Sequence, residues 1–524
     1  MQSGNAGAGT TTMPRGSLSV WGALQEHGLL PPFACDTDCD PEIATADLLP
    51  TLIRIWEQAT VGPDRSARKR GELALLARLR QARESGAQLT LGVAGAQSWF
   101  DAAVGDRLVW WPRGAPAGQR VAVVSSRLGR WSKLPPHWFP TLRRVLEQID
   151  PARQVLVSAR GTALAELIAR WAAVRQVPLL MFDVTEGCQS VRRWWLSGLR
   201  TTAEESARMP WQFPALVSPQ LVQAHIPSAP VRDAVLMAAS DQVVVCQARP
   251  RGNVWRLLEQ RLAHAASSIE SHTTILNGSG FTSNIACDAL RRRGALVQPA
   301  CTVEATGSLL PQGPGECETP CGDAADLIIT PPDYAYLVHC TRAIDGPWPD
   351  QDRDDYLDEL LFGGSVTLRT PLTTLMRIVA KQVLLATGRA IRGRFPVVCF
   401  TGVSLSELPV LRTFRPHRGR WDFEPYGIAI RRDWLLARGT RAVVYGDDSV
   451  WENMDETKRP FFQRRFSGAS QGIDWSIEQE WRHVGGLDLL DLPTDAAFVF
   501  VPTPAAATAL CTFSRWPVLV LPPL

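Results

Sequence analysis

The sequence predicts an α/β protein: a Rossmann-like, doubly wound parallel sheet with an N-terminal helical cap, followed by a C-terminal α+β domain. Three observations carry this. Short apolar runs alternate with helical patterns between residues 118 and 298, the grammar of a parallel sheet wrapped by helices. Several of those runs are apolar at every position, as in strands buried on both faces. The run Val243, Val244 and Val245 leads straight into a loop containing Arg249, Arg251, Gly252 and Asn253, the way a parallel strand delivers a ligand loop at its carboxyl end. At 524 residues the chain exceeds what one core usually holds, so two or three domains are expected.

Residues 1–16 are rich in Gly, Ser and Thr and are expected to be disordered. Residues 17–117 are expected to form the cap, because Leu48–Ala59 and Glu72–Glu84 repeat apolar residues at spacings of three and four. The sheet domain, 118–300, opens with GQRVAVVSSR, a strand ending in Ser125, Ser126 and Arg127. QVLVSARGTALAELIARWA then reads as a strand, a turn at Ser158, Arg160 and Gly161, and an amphipathic helix. VPLLMFD is a third strand, ending at Asp183. A long insertion, Val184–Ala229, carries Arg192, Arg193, Trp194 and Trp195 in a row. Insertions at the carboxyl edge of such sheets often form a binding rim. Interleaved Arg and Trp suit a nucleic-acid strand, since each base stacked on a ring is worth roughly 1–3 kcal/mol. The pairing recurs at Arg130-Trp131 and His137-Trp138. Asp241 stands just before the central strand, and Thr273–Gln298 reads strand, loop with Gly280 and Asn284, helix, strand.

Residues 301–332 are rich in Gly, Pro and acid and are expected to be a linker. The remainder, 333–524, has a different pattern. YAYLVHCTRA opens it, a helix is expected over Pro371–Ile391, and Phe395–Gly402, Tyr426–Arg432 and Thr440–Gly446 read as strands. Ser476–Leu489 brings Glu478 and Glu480 beside Arg482; in an extended segment the two carboxylates would face opposite sides. Asp352, Asp354, Asp355 and Asp358 sit at a helix start, where carboxylates commonly cap. Asp447-Asp448 is a better acidic candidate because it ends a strand.

Net charge is only +3, with 45% hydrophobic and 20% charged residues, a globular composition that does not by itself announce nucleic acid. Positive charge is nearly all arginine, the lysines being Lys69, Lys133, Lys381 and Lys458 alone; arginine's planar fork suits phosphates and aromatic rings. Eleven scattered cysteines read as reduced thiols. The close pairs Cys35/Cys39 and Cys317/Cys321 have the wrong spacing for a zinc knuckle and no nearby His, so no metal is expected. No apolar run reaches a membrane span of roughly 18 residues, and a cytoplasmic location is expected.

The order of pieces in residues 118–298 resembles the Rossmann-type domain of the DNA-processing (DprA/Smf) proteins, in the superfamily that includes the LOG nucleotide phosphoribohydrolases. Ser125-Ser126-Arg127 stands where that family has Gly-Ser-Arg, and Ser158-Ala159-Arg160-Gly161 where it has Ser-Gly-Gly-Ala-Arg-Gly, without the two glycines. Arg232-Asp233, Ser240-Asp241, Gly280 to Asn284 and Gly294-Ala295 follow in the family's order. The resemblance implies a DNA or nucleotide site at these positions. Phe395–Leu489 resembles the AbiGi-like abortive-infection family. His339 with Thr341, Tyr426, and Glu480 or Glu478 resemble the His-Tyr-Glu layout of ADP-ribosyltransferases such as the DarT toxins.

Cleavage of an N-glycosidic bond passes through an oxocarbenium-like sugar that a carboxylate stabilises. The expected function is therefore an anti-phage enzyme that binds DNA and excises a base, of the DNA-glycosylase type, without a cofactor. Asp241, Glu478, Glu480, His339 and Tyr426 are its catalytic candidates, and phage DNA is its expected partner. Two other readings stand beside it: an NAD-dependent ADP-ribosyltransferase acting on nucleic acid, and a non-catalytic module that binds single-stranded DNA or a nucleotide signal.

Overall fold

The structure, a computed structural model, describes residues 20–31, 47–60, 67–93, 104–186, 190–199, 209–221, 230–265, 272–300, 335–363, 369–388, 391–415, 420–465 and 475–521. The expected disordered start, the expected linker and both close cysteine pairs lie outside these residues. The chain forms two compact units, residues 1–128 with 137–302, and residues 129–136 with 303–524.

The first unit is built on nine strands: β1 (Gln88–Leu91), β2 (Leu108–Trp111), β3 (Gln119–Ser125), β4 (Gln154–Ala159), β5 (Leu179–Val184), β6 (Gln212–Val217), β7 (Gln242–Gln247), β8 (His272–Asn277) and β9 (Leu296–Pro299). Their order is β1-β2-β6-β5-β4-β3-β7-β8-β9. Every neighbouring pair from β6 to β9 is parallel, and β1 and β2 extend the edge antiparallel. The chain runs outward from β3 through β4 and β5 to β6, then returns to β7 and runs outward the other way. The β3/β7 boundary is thus the topological switch point, where the carboxyl ends of such sheets open a crevice. One face buries Ala122, Val124, Val243 and Val245 against the helices Val231–Ala238 and Asn253–Ala265.

Two expectations are corrected here. The N-terminal region is not a helical cap alone. Its helices Val20–Glu26, Leu49–Thr60 and Ala67–Glu84 are followed by β1 and β2, which join the sheet. The insertion Val184–Ala229 also contains β6, a full strand of the sheet. Pro214 disguises it, because a proline argues against a central strand; here β2 pairs only with Leu216 and Val217, so no ladder bond to β2 is forfeited at Pro214.

The second unit carries β10 (Tyr336–Cys340), β11 (Val383–Leu384), β12 (Val397–Thr401), β13 (Thr413–Arg415), β14 (Arg420–Asp422), β15 (Gly427–Arg431), β16 (Arg441–Ala442), β17 (Val444–Gly446), β18 (Phe462–Arg464), β19 (Glu480–Val484), β20 (Leu487–Asp488), β21 (Ala497–Val501) and β22 (Val518–Val520). Seven of these form one sheet, β16-β19-β12-β10-β15-β21-β22, antiparallel except for β21/β22. Leu337, Phe400, Ile428 and Val499 face the helices Pro371–Lys381 and Pro504–Cys511, while Val338, Ala429 and Phe500 pack on the other face with Val403, Leu408 and Leu411. The helix expected to reach Ile391 ends at Lys381, because Gln382 turns left-handed (φ 51°) and Val383–Leu384 then pairs with β20.

The centre of this sheet is forked. β10 matches β15 at five positions and β12 matches β19 at five, but β10 and β12 share one, Val338 opposite Thr401. Beyond it the strands part. Thr387 takes over as the neighbour of Val397, leaving the three residues Val398 to Phe400 between.

Candidate functional site

The fork opens into a cavity of about 330 Å³. Residues from both sheet faces line it, among them His339, Cys399, Glu478, Glu480 and Arg482. With no ladder partner there, the Cys399 carbonyl is taken by a side chain: His339 Nδ1 donates to it at 2.8 Å. Because a carbonyl only accepts, this bond fixes the tautomer and leaves Nε2 with its lone pair. Enclosure by protein lowers the His339 imidazole to about 4, against the raising effect of that bond. It is neutral at pH 7.

Glu480 lies across β12 from the fork, opposite Thr401. Arg482 grips it with a bidentate fork, Nε to Oε1 at 2.9 Å and Nη2 to Oε2 at 2.9 Å. Arg482 is only 1% exposed, and its remaining donors go to the Pro460 and Phe462 carbonyls at 3.0 and 2.7 Å and to Gln463 at 2.7 Å. The Glu480 amide donates to the Tyr445 hydroxyl oxygen at 3.1 Å. The carboxylate is therefore held by one guanidinium that is itself anchored on its remaining donors. Burial and the negative charge of Glu480 push the Cys399 thiol up to about 12, so it is no nucleophile near neutrality.

Glu478 does not alternate with Glu480 along one strand, as extended spacing would require. It ends a 3₁₀ turn, Trp475–Glu478, and Gln479 turns left-handed (φ 44°) before β19 begins. The turn brings both carboxylates to one cavity. Glu478 lies 3.5 Å from Arg415, which is itself held by Asp422 and stacked over Trp475. Tyr426 is not among the cavity-lining residues. It packs beside the core of the helix-bearing face, and its carbonyl accepts from the Thr341 amide. The acidic candidates elsewhere are structural: Asp352 caps the helix Arg353–Phe362, Asp447 caps Asp448–Glu452, and Asp448 pairs with Arg392 and Arg464.

In the first unit the structure gathers much of the second residue set at the switch point. Ser125, in β3, is aligned with Gln247 of β7. Ser126 donates its amide to the Gln247 carbonyl at 2.7 Å and accepts from the Arg249 amide on its hydroxyl at 3.1 Å. Arg127, Arg249, Arg251 and Asn253 are exposed around this point, and Asn253 opens a 13-residue helix whose free amides favour anions. Arg251 is left-handed (φ 65°). The loop with Gly280 is bonded to the same edge, with the Ala248 amide donating to Thr282 at 3.0 Å; Asn284 is exposed at the start of the next helix. Along the neighbouring strands Arg160 and Asp183 form an exposed ion pair at 3.7 Å. Gly161 is left-handed and leaves room for Arg232, whose Nη1 would lie 2.3 Å from an added Cβ. Ser158 is fully buried within β4.

Asp241, a catalytic candidate, and Trp194, a candidate for DNA binding, lie elsewhere. Asp241 sits at the amino end of β7, away from the crevice, accepting from the Arg120 amide at 2.7 Å while its carbonyl binds the buried Arg261 at 2.8 Å. That is a strand-start lock. Trp194 and Trp195 are 3% exposed and pack with Trp110 in the N-terminal core, so they offer no face to a base; Arg192 and Arg193, on the same helix, are exposed. Trp138 is likewise buried, stacked on Phe281.

Two solved structures similar to the chain are of DNA processing protein A. The Streptococcus pneumoniae protein matches at 15% identity with a TM-score of 0.25, over 48% of this chain and 83% of that one. The Helicobacter pylori protein, described in its single-stranded DNA binding mode, matches at 11% identity and 0.25, over 40% and 90%. No family model and no curated protein matches the chain. Among the described residues no group of three His, Cys, Asp or Glu forms a metal-ligand cluster, and no helix is long and apolar enough to cross a membrane.

Proposed function

We propose that the chain cleaves an N-glycosidic bond of a nucleotide unit held in the forked-sheet cavity, and that it grips DNA through the arginine-lined crevice of its first unit. The observation that carries this is the convergence of His339, Glu478 and Glu480 on one cavity. In the reaction the C1′–N bond breaks and its electron pair leaves with the base. Glu480, fixed beside Arg482, stabilises the positive sugar. A water oxygen then bonds to C1′ and gives its proton to Glu478, from which it passes to the departing base. His339, being neutral, lines the cavity without repelling the developing cation.

Base excision is favoured over cleavage of NAD by size. A cavity of about 330 Å³ lies at the small end of the roughly 300–1,000 Å³ range of ligand pockets and suits one nucleotide better than two. The NAD reading keeps His339 and Glu480 in one site but loses Tyr426. Incubating the protein with normal and base-modified DNA, with and without NAD, and scoring abasic sites and covalent ADP-ribose separates them. Abasic sites without NAD, reduced about 10²–10³-fold in Glu480→Gln, are expected; ADP-ribose on DNA would replace this reading with the transferase, and neither product would leave a binding module. Restriction of phage DNA is the setting proposed for such an activity, and phage plating on cells carrying the wild type or Glu480→Gln tests it.

A further inference from the structure

Charged side chains border the cavity from both sheet faces, and this bears on the substrate. The inference rests on the reading that the cavity holds a nucleotide unit. Val338 is opposite Thr401, and Thr401 is opposite Glu480. Side chains alternate along each strand, so Cys399, Glu480 and Arg482 share one face while His339 and Phe400 lie on the other. The helix Pro371–Lys381 covers that second face through Leu375 and Val379, and its Arg377 and Lys381 line the cavity too. One cavity is bordered from both faces at the fork, with Arg377 and Lys381 on the helix side and Glu480, held by Arg482, on the far side.

The cations are held as if around an anion. Arg377 Nη2 bonds both oxygens of Asp350, at 2.6 and 2.7 Å, and Lys381 Nζ bonds one at 2.8 Å. Two cations and one carboxylate leave a net positive charge there.

We propose that the substrate is a phosphorylated nucleoside threaded through the fork, its phosphate at Arg377 and Lys381, its sugar beside His339 and its glycosidic carbon toward Glu480. Asp350 occupies the phosphate's donors in the empty site and competes with it. A nucleoside without phosphate has nothing to offer the cationic end. The phosphate belongs either to a free nucleotide or to a DNA strand.

Calorimetric titration of the full chain with thymidine, thymidine 5′-monophosphate and single-stranded tetrathymidylate tests this. The monophosphate is expected to bind at least about tenfold more tightly than thymidine, and Arg377→Gln and Lys381→Gln each to remove about tenfold. Asp350→Asn is expected to tighten binding, since it removes the competitor. Damage to the fold would weaken all three variants alike, so the opposite sign identifies a phosphate site. Measured in the Arg249→Ala with Arg251→Ala variant, whose crevice grip is removed, tighter binding of tetrathymidylate than of the monophosphate assigns the phosphate to a strand, and the reverse to a free nucleotide. Equal affinity for nucleoside and monophosphate, weakening by Asp350→Asn, or no binding of any probe overturns the proposal. Binding is read without turnover, so absence of cleavage alone would sink the glycosidic reading and leave the phosphate site standing.

Discussion

His339 is neutral because enclosure by protein outweighs the bond from its Nδ1–H to the Cys399 carbonyl, which on its own would favour the proton. Its folded value, about 4, lies below the ordinary 6.5. Between those values the unfolded chain binds a proton that the folded chain refuses, so stability is complete above about pH 6.5 and is lost as pH falls toward 4. Urea unfolding at pH 7, 5.5 and 4.5 is expected to show a steeper acid loss in the wild type than in His339→Gln; parallel losses would contradict the assignment. Arg482 is the other decisive side chain. Arg482→Met would strand Glu480 and release two backbone carbonyls, at a cost of about 3–5 kcal/mol, read as a fall in the urea midpoint. A loss under about 1 kcal/mol would show that the carboxylate is held by other means.

At the scale of elements, the fork depends on β10 staying paired with β15. Gly427 is the residue that permits it: an added Cβ would lie 2.3 Å from the His339 carbonyl and 2.6 Å from the Phe500 ring. Gly427→Ala should therefore cost more than about 3 kcal/mol and broaden the His339 ring signals in NMR; a variant with wild-type stability would show that the strands can part here. What the sequence could reveal follows the same division. Apolar runs ending in loops announced β3, β4, β5, β7 and β8, because buried parallel strands need such runs. β6 hid behind Pro214, and β1 and β2 behind the helices before them. The cavity left a different trace: His339, Glu478 and Glu480 were legible as chemical types, but their meeting depends on a missing run of strand pairs and a left-handed Gln479, neither of which has a periodicity. Trp194 and Asp241 misled for the complementary reason, since an Arg-Trp run and a carboxylate before a strand look alike whether they face solvent or core.

For the whole molecule, a net charge of +3 gives little general attraction to DNA, so the grip must be local. In the proposed function Arg127, Arg249 and Arg251 would supply it at the switch point, each of them exposed. If each meets one phosphate, a single strand loses about 0.7 in the slope of log affinity against log salt for every contact removed. Arg249→Ala with Arg251→Ala should then lower that slope by about 1.4 for a single-stranded oligonucleotide, measured by anisotropy between 50 and 200 mM salt. Arg192→Ala with Arg193→Ala tests the other exposed pair, whose neighbouring tryptophans are buried and cannot stack. A strand bound by the crevice alone would leave the slope unchanged in that second variant; the same reduction in both would place the strand across the helix Val191–Gly198 as well. Thymidine 5′-monophosphate binding should be untouched by either double variant, because its cations, Arg377 and Lys381, belong to the other unit. Strand grip and nucleotide capture would then be separable activities of one chain, whereas a parallel loss of both would mean that the crevice arginines also govern the cavity.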